Sequence, residues 1–323
     1  MNDDPSTAPT TEALLLEALR AATGRADLSY ATPPRRLTGG YWAEMFVIRL
    51  AGAPPELSGD LVARISPIAA TASRDAAVQR AVAELGFPTA SIRLVLGPEC
   101  AVGRAVTVMD LLPGRPLMGG LEGLPRPSEL VELTRRLPTV LARLAASLHD
   151  LDADPIRVAM TPFGRSDITA SLEFGAERAA ELGLPDLARA TERIATLTAA
   201  DRRVVCHGDL HVFNVIVDGD RPQLIDWTVA RLAHPAYDVA FSRLLFRHPP
   251  IDVPIAAEPL VRGAGRLMSR RFLSVYRRTA RHDIAITPGA LDLYEAAHGH
   301  RILFELAEWD SSGGGPNDHP WRS

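Results

Sequence analysis

Residues 206–217 read Cys206-His207-Gly208-Asp209-Leu210-His211-Val212-Phe213-Asn214-Val215-Ile216-Val217, and Leu224-Ile225-Asp226-Trp227 follows a turn at Asp218-Gly219-Asp220. The apolar runs on either side of that turn are β-prone, and the Asp-Gly step favours a hairpin because glycine accepts positive φ at low cost. The spacing puts Asp209 and Asn214 on one short connector. The hairpin then returns Asp226 to the same end of the sheet. Phosphoryl transfer needs such a set: one group to orient the attacking hydroxyl and take its proton, and oxygen ligands for a magnesium ion that bridges nucleotide phosphates.

Outward from this island of strand, at residues 204–206, 215–217 and 223–225, the pattern is helical. Residues 130–151 read as a long amphipathic helix with arginines on its wet face, residues 166–199 as further helix, and helices resume after Pro235 to about residue 309. The first third differs. A helix is expected from Thr10 or Thr11 to a stop at Gly24. From Arg35 the pattern is strand-like, with runs at 45–50 and 61–65. A helix over 73–85 ends before Gly86 and Pro88, and strands follow at 92–96 and 105–109. Leu112-Pro113-Gly114-Arg115-Pro116 breaks the chain where strands give way to helices, which marks a domain boundary. The expectation is an α+β protein. Residues 1–112 form a small antiparallel β lobe, with 1–9 loose. Residues 113–310 form a larger, mostly helical lobe, and 311–323, with three consecutive glycines, a disordered tail.

The order His-x-Asp, four residues, Asn, then a strand-borne Asp matches the protein-kinase catalytic loop and its metal-binding aspartate. The version with glycine after the histidine, His207-Gly208-Asp209-Leu210-His211 with Asn214, is followed by Ile225-Asp226-Trp227 and Pro235-Ala236-Tyr237-Asp238. Together these resemble the aminoglycoside phosphotransferase and choline kinase family. The resemblance implies a protein-kinase-like fold with a cleft between its lobes. It also implies a magnesium- and ATP-dependent kinase acting on a hydroxyl of a small molecule, with GTP left open as the donor. By resemblance Asp209 is the catalytic base, His207 supports the catalytic loop through hydrogen bonds, Asn214 and Asp226 bind Mg2+, and Asp238 braces the loop. Leu37-Thr38-Gly39-Gly40-Tyr41 looks like the nucleotide loop, with Gly39 and Gly40 at its turn. Arg64 takes the place of the phosphate-contacting base, and Asp75, opening the next helix, that of its carboxylate partner. Met109-Asp110-Leu111-Leu112-Pro113-Gly114 resembles the hinge that reads adenine, implicating the Asp110 carbonyl and the Leu112 amide.

Composition bounds the alternatives. A net charge of −4 offers no basic surface for nucleic acid. An acidic, polar start, and apolar runs all short of the ~20 residues of a membrane helix, point to a cytoplasmic protein. Cys100 and Cys206, both in strand-like stretches, read as free thiols of a reducing compartment. A second functional reading is a zinc hydrolase using the alternating His207, Asp209 and His211. A third is an inactive kinase fold that binds a nucleotide or a partner, kept alive by arginine at 64 and aspartate at 75. The basic run from Arg262 to Arg281 reads as a solvated helix face, and Glu305, Glu308 and Asp310 as surface carboxylates. Many arginines mixed among Glu181, Asp186, Glu305 and Asp310 argue against a polycationic antibiotic as acceptor.

Overall fold

The computed structural model describes residues 9–37, 43–118, 127–164, 166–249 and 257–312. Gly39 and Gly40 lie outside the described residues, as does the tail from residue 313. The chain divides into two compact units, Met1–Ala83 with Thr89–Leu112, and Glu84–Pro88 with Pro113–Ser323.

The first unit is an antiparallel five-stranded sheet with two helices. In chain order these are α1 (Thr11–Thr23), β1 (Ser29–Leu37), β2 (Glu44–Ala51), β3 (Asp60–Ser66), α2 (Ala69–Glu84), β4 (Ile92–Leu96) and β5 (Ala105–Asp110). The strand order is β1-β2-β3-β5-β4. The expected runs 45–50 and 61–65 fall in β2 and β3, paired Phe46 to Ala63 and Ile48 to Leu61. Alternation sets the core: Phe46, Ile48 and Leu50 from β2 and Leu61, Ala63 and Ile65 from β3 pack with Leu15 and Leu19 of α1. The Thr10 hydroxyl caps α1 by accepting the Ala13 N–H at 3.3 Å.

Three details depart from the expected pattern. β1 begins at Ser29, six residues before the anticipated onset at Arg35, and runs through Pro33 and Pro34. It tolerates them as an edge strand whose register is irregular between Thr32 and Arg35, where missing N–H groups break little of the ladder. α2 begins at Ala69 rather than near residue 73, so Asp75 lies in its second turn instead of opening it. Cys100 sits in the turn between β4 and β5, not in a strand; both cysteines are free, and Cys206 is buried.

The second unit is mostly helical: α3 (Pro127–His149), α4 (Ala153–Met160), α5 (Ile168–Glu181), α6 (Pro185–Thr198), α7 (Ala236–Arg247), α8 (Glu258–Thr279) and α9 (Pro288–Ser312). α3 packs on α8, α5 on α6, and α7 on both α8 and α9. α9 continues to Ser312, one residue past the anticipated start of the tail at 311. The basic α8 is only partly a wet face. Arg271 donates to the Arg135 carbonyl and the Thr139 hydroxyl of α3, and Arg277 to the Ile286 carbonyl, while the apolar Leu267 is exposed.

Short strands interrupt these helices: β6 (Arg115–Pro116), β7 (Val204–Cys206), β8 (Val215–Asp218), β9 (Arg221–Leu224) and β10 (Arg231–Ala233). β8 and β9 form the expected hairpin, closed by the pair Asp218 and Arg221, and Pro222 sits on the edge strand β9. β10 pairs antiparallel with β7, Arg231 facing Cys206. The sequence reading did not anticipate β10, only three residues long. Its consequence is topological: the excursion from residue 207 to residue 230 leaves and returns at one two-stranded ladder. No described helix is long and apolar enough to cross a membrane.

Candidate active site

The excursion begins with a loop held from behind by one buried carboxylate. Asp238, in the first turn of α7 and fully buried, accepts the His207 N–H at 2.8 Å and the Gly208 N–H at 2.7 Å. Its third partner is His149, the last residue of α3, whose Nε2–H donates to Oδ2 at 3.1 Å. The other ring nitrogen of His149 accepts from the Tyr276 hydroxyl at 2.6 Å, and that oxygen accepts from His282 at 2.7 Å. Burial alone would raise the Asp238 pKa. The hydrogen bonds from His149 and from the Gly208 N–H outweigh it and hold the group below its ordinary value. His149, Cys206 and Asp238 bring metal-type ligand atoms within 4.8 Å of one another. Their arrangement is that of a hydrogen-bonded core: both Asp238 oxygens are occupied, and burial pushes the Cys206 thiol well up, disfavouring a thiolate.

Gly208 permits the close turn. Its φ is +80°, and a Cβ there would lie 2.4 Å from the Val229 carbonyl oxygen. His207 is entirely buried. Its Nε2–H donates to the Ile225 carbonyl at 3.0 Å, and its Nδ1 accepts the Asp209 N–H at 3.3 Å. Its ring meets the buried Trp227 edge to face at 4.9 Å. Burial lowers its pKa, so the ring is neutral with both nitrogens committed. That leaves it none for a metal and removes His207 from a zinc triad with Asp209 and His211.

Asp209 differs from these two. Its side chain keeps 27% of its surface exposed and carries the convergent contacts of the loop. The His211 Nε2–H donates to Oδ2 at 3.1 Å, and the Asn214 Nδ2 donates to the same oxygen and to the Asp209 carbonyl, each at 3.0 Å. Burial would raise the Asp209 pKa. The hydrogen bond and charge of His211, with the charge of Arg301, reverse that and keep it ionised far below the usual carboxylate range.

Asn214 closes a 3-10 turn, Val212–Asn214, and its carbonyl accepts the Ile225 N–H at 2.9 Å. Because its side-chain nitrogen is spent on Asp209, its amide oxygen is the atom left to accept elsewhere. Ile225 is thus held on both sides, by Asn214 and His207, and Asp226 follows it directly. Asp226 is exposed and adopts φ of 66°, the one positive φ outside glycine among the described residues. A strained conformation at a carboxylate belongs to sites where orientation matters more than local stability. The Thr228 hydroxyl donates to its Oδ1. Two hard oxygen donors, an amide and a carboxylate, on adjoining segments suit magnesium, which needs few protein ligands.

α9 adds residues that sequence spacing did not reveal. His298, Arg301 and Glu305 are three and four residues apart and so share one helix face. His298 Nε2 donates to the Tyr237 carbonyl at 2.9 Å and stacks on that ring at 4.2 Å. Burial, with the charge of Arg301, brings the His298 pKa down to about 3. Arg301 donates from Nη1 to the Gly208 carbonyl at 2.7 Å, and its Nη2 lies 3.7 Å from Asp209 Oδ1. Its guanidinium stands over the Phe241 ring, 4.8 Å from the centroid. Glu305 pairs with Arg301 at 3.7 Å and is half-buried, its pKa raised by burial, so the surface reading of this residue is corrected. Asp310 is exposed.

In the first unit Arg64 of β3 and Asp75 of α2 form an ion pair at 3.8 Å, with 16% and 5% of their side chains exposed. Arg74 flanks the same carboxylate at 3.8 Å. The shorter aspartate therefore still reaches its cation. Asp110 ends β5, and its carboxylate takes a bidentate pair from Arg93 at 2.6 and 2.8 Å. Leu112 follows as the last residue of the unit.

Residues 35–271 match the phosphotransferase enzyme family. No curated protein sequence matches the chain. Among solved structures, macrolide 2'-phosphotransferase MphH from Brachybacterium faecium is 19% identical with a TM-score of 0.55, over 92% of this chain and 94% of its own. A choline/ethanolamine kinase family protein from Mesorhizobium loti is 18% identical with a TM-score of 0.59, over 97% and 90%. Aminoglycoside phosphotransferase APH(3'')-Id from Streptomyces rimosus, solved with ADP and streptomycin, is 19% identical with a TM-score of 0.53, over 88% and 97%. The similarity to these three lies in the protein-kinase-like fold. With the family match over most of its length, the chain belongs to the phosphotransferase enzyme family.

Proposed function

We propose that the protein transfers the γ-phosphoryl group of ATP to a hydroxyl of a small molecule, with Asp209 as catalytic base. The observation that supports this most is the contrast within one loop. His207 and Asp238 are sealed and fully committed, whereas Asp209 is fixed by Asn214, His211 and Arg301 yet keeps an open side. Asp209 receives the acceptor O–H as a hydrogen bond and aligns its oxygen with the γ-phosphorus. The new O–P bond forms as the bond to the ADP oxygen breaks, and the hydroxyl proton passes to the carboxylate. A weakly basic carboxylate suits a loose transition state, in which orientation precedes proton transfer. Magnesium, held by the Asn214 oxygen and the Asp226 carboxylate, would offset the charge on the nucleotide phosphates. Arg64, anchored by Asp75, would contact phosphate, and the Asp110 carbonyl and Leu112 N–H would read the base.

The acceptor we infer is not a polycation. Glu181 and Glu308 share Arg178, Asp186 pairs with Arg189 and Glu305 with Arg301, so each of these carboxylates already has an arginine beside it.

Asp209→Asn tests the reading, with a screen of hydroxylated compounds for acceptor-dependent ADP release supplying the substrate. The change keeps size and removes the proton acceptor, so kcat falls about 10²–10⁴-fold while nucleotide affinity holds. Undiminished phosphotransfer by this variant refutes the mechanism. A wild-type protein that binds ATP but turns over no acceptor supports an inactive nucleotide-binding protein instead.

A further inference from the structure

Arg301 lies 93 residues beyond Gly208, yet it meets the proposed catalytic loop at two consecutive residues, the Gly208 carbonyl and the Asp209 carboxylate. Its own placement is over-determined. Its guanidinium rests on Phe241 of α7, Glu305 pairs with it one turn further along α9, and one turn back His298 ties α9 to Tyr237 of α7. Only 13% of its side chain is exposed. Asp238 holds the N–H groups of His207 and Gly208 from one side, and Arg301 holds the Gly208 carbonyl from another. The peptide units leading into Asp209 are therefore gripped at donors and acceptor alike.

A buried arginine whose contacts serve only folding would have no reason to end on the one part-open carboxylate of the loop. We propose that Arg301 is a positioning residue for phosphoryl transfer: its two-atom grip on Gly208 and Asp209, backed by Glu305, fixes the direction in which Asp209 meets the acceptor hydroxyl. This rests on the kinase reading above. In this role Arg301 acts through its contacts with Gly208 and Asp209, not through nucleotide or acceptor. Its loss should therefore fall on kcat and not on nucleotide binding, because misplacing a reacting group by about 1 Å costs on the order of 10²-fold.

The test compares wild type with Arg301→Met and Arg301→Gln, which keep much of the stem but lose the charged fork, and with Arg301→Lys, which keeps the charge and one donor. Read-outs are kcat, KM for magnesium-ATP, the thermal midpoint, and amide exchange of the peptide covering residues 207–214. For Met or Gln, kcat should drop on the order of 10²-fold with nucleotide KM unchanged and faster exchange in that peptide; Lys should recover part of kcat. Full kcat in any of the three variants overturns the proposal, as does a Met or Gln variant whose kcat loss comes with an equal rise in nucleotide KM. Should neither Met nor Gln fold, Lys decides: intermediate kcat with nucleotide KM unchanged supports the two-atom grip, and wild-type kcat refutes it. A wild type without phosphotransfer overturns the kinase reading and, with it, any catalytic consequence of Arg301. In that case exchange at residues 207–214 still tells whether Arg301 holds the loop.

Discussion

Asp238→Asn probes the brace behind the loop. In the native protein its two oxygens serve three buried donors, the N–H groups of His207 and Gly208 at 2.8 and 2.7 Å and His149 Nε2 at 3.1 Å. Asparagine has one acceptor oxygen, and its NH2 group must face at least one of those donors. A buried donor left unsatisfied costs about 1–3 kcal/mol, so one or two of them cost about 1–6 kcal/mol. At about 1.4 kcal/mol per tenfold, amide exchange at His207 and Gly208 should accelerate at least about fivefold. Asp238→Ala leaves all three donors bare, a loss that rivals the whole stability of a typical domain, about 5–15 kcal/mol, and it should not fold. The pH dependence has a definite sign. Burial would raise the Asp238 pKa, but His149 and the loop donors depress it in the folded state. The ionised form then contributes stability above its unfolded value of about 3.9, and that contribution is lost as pH falls through the lower folded value. The gap in denaturation midpoint between wild type and Asp238→Asn should accordingly be full at neutral pH and narrow below about pH 4. An asparagine variant with the wild-type midpoint and wild-type protection at residues 207 and 208 refutes this account.

Gly208→Ala should cost far more activity and solubility than Gly219→Ala: both have positive φ, but only at 208 would the Cβ strike a backbone oxygen, while 219 faces open space. Equal stability of the two variants in denaturant would contradict the close approach to Val229. Asp226→Ala should sharply weaken binding of magnesium-ATP but not of metal-free ATP. Arg64→Ala should weaken binding of both forms and raise KM for magnesium-ATP, with Arg64→Lys keeping part of the function. If isothermal titration finds Asp226→Ala binding magnesium-ATP like wild type, or Arg64→Ala leaves nucleotide kinetics unchanged, the corresponding assignment falls.

What the sequence by itself determined is what chain connectivity enforces. Asp209 and Asn214 are five residues apart, and a two-residue turn returns Asp226 beside them. Short-range geometry alone therefore gathers the loop, just as alternation in β2 and β3 sets the buried face of the sheet and Thr10 marks the start of α1. The proline pair in β1 hid a strand, because a local signal against the ladder does not reveal that the strand lies at an edge. The tertiary structure alone decided which distant groups complete the loop. His149 and Arg301 read as one more histidine and one more arginine on amphipathic helices, and nothing within a helical turn of either announces a partner. Packing of α3 against α8 and β7, and of α9 against α7, delivers them, one to Asp238 behind the loop and the other to Asp209 at its open side. It also decided the role of Glu305. Composition makes that residue an ordinary carboxylate near a helix end, and the buried cation beside it makes it a support for the site. Local sequence thus specifies the proposed reacting groups and their nearest partners, while Asp238, His149 and Arg301, which brace them, lie about thirty to ninety positions away. Only folding brings those within reach.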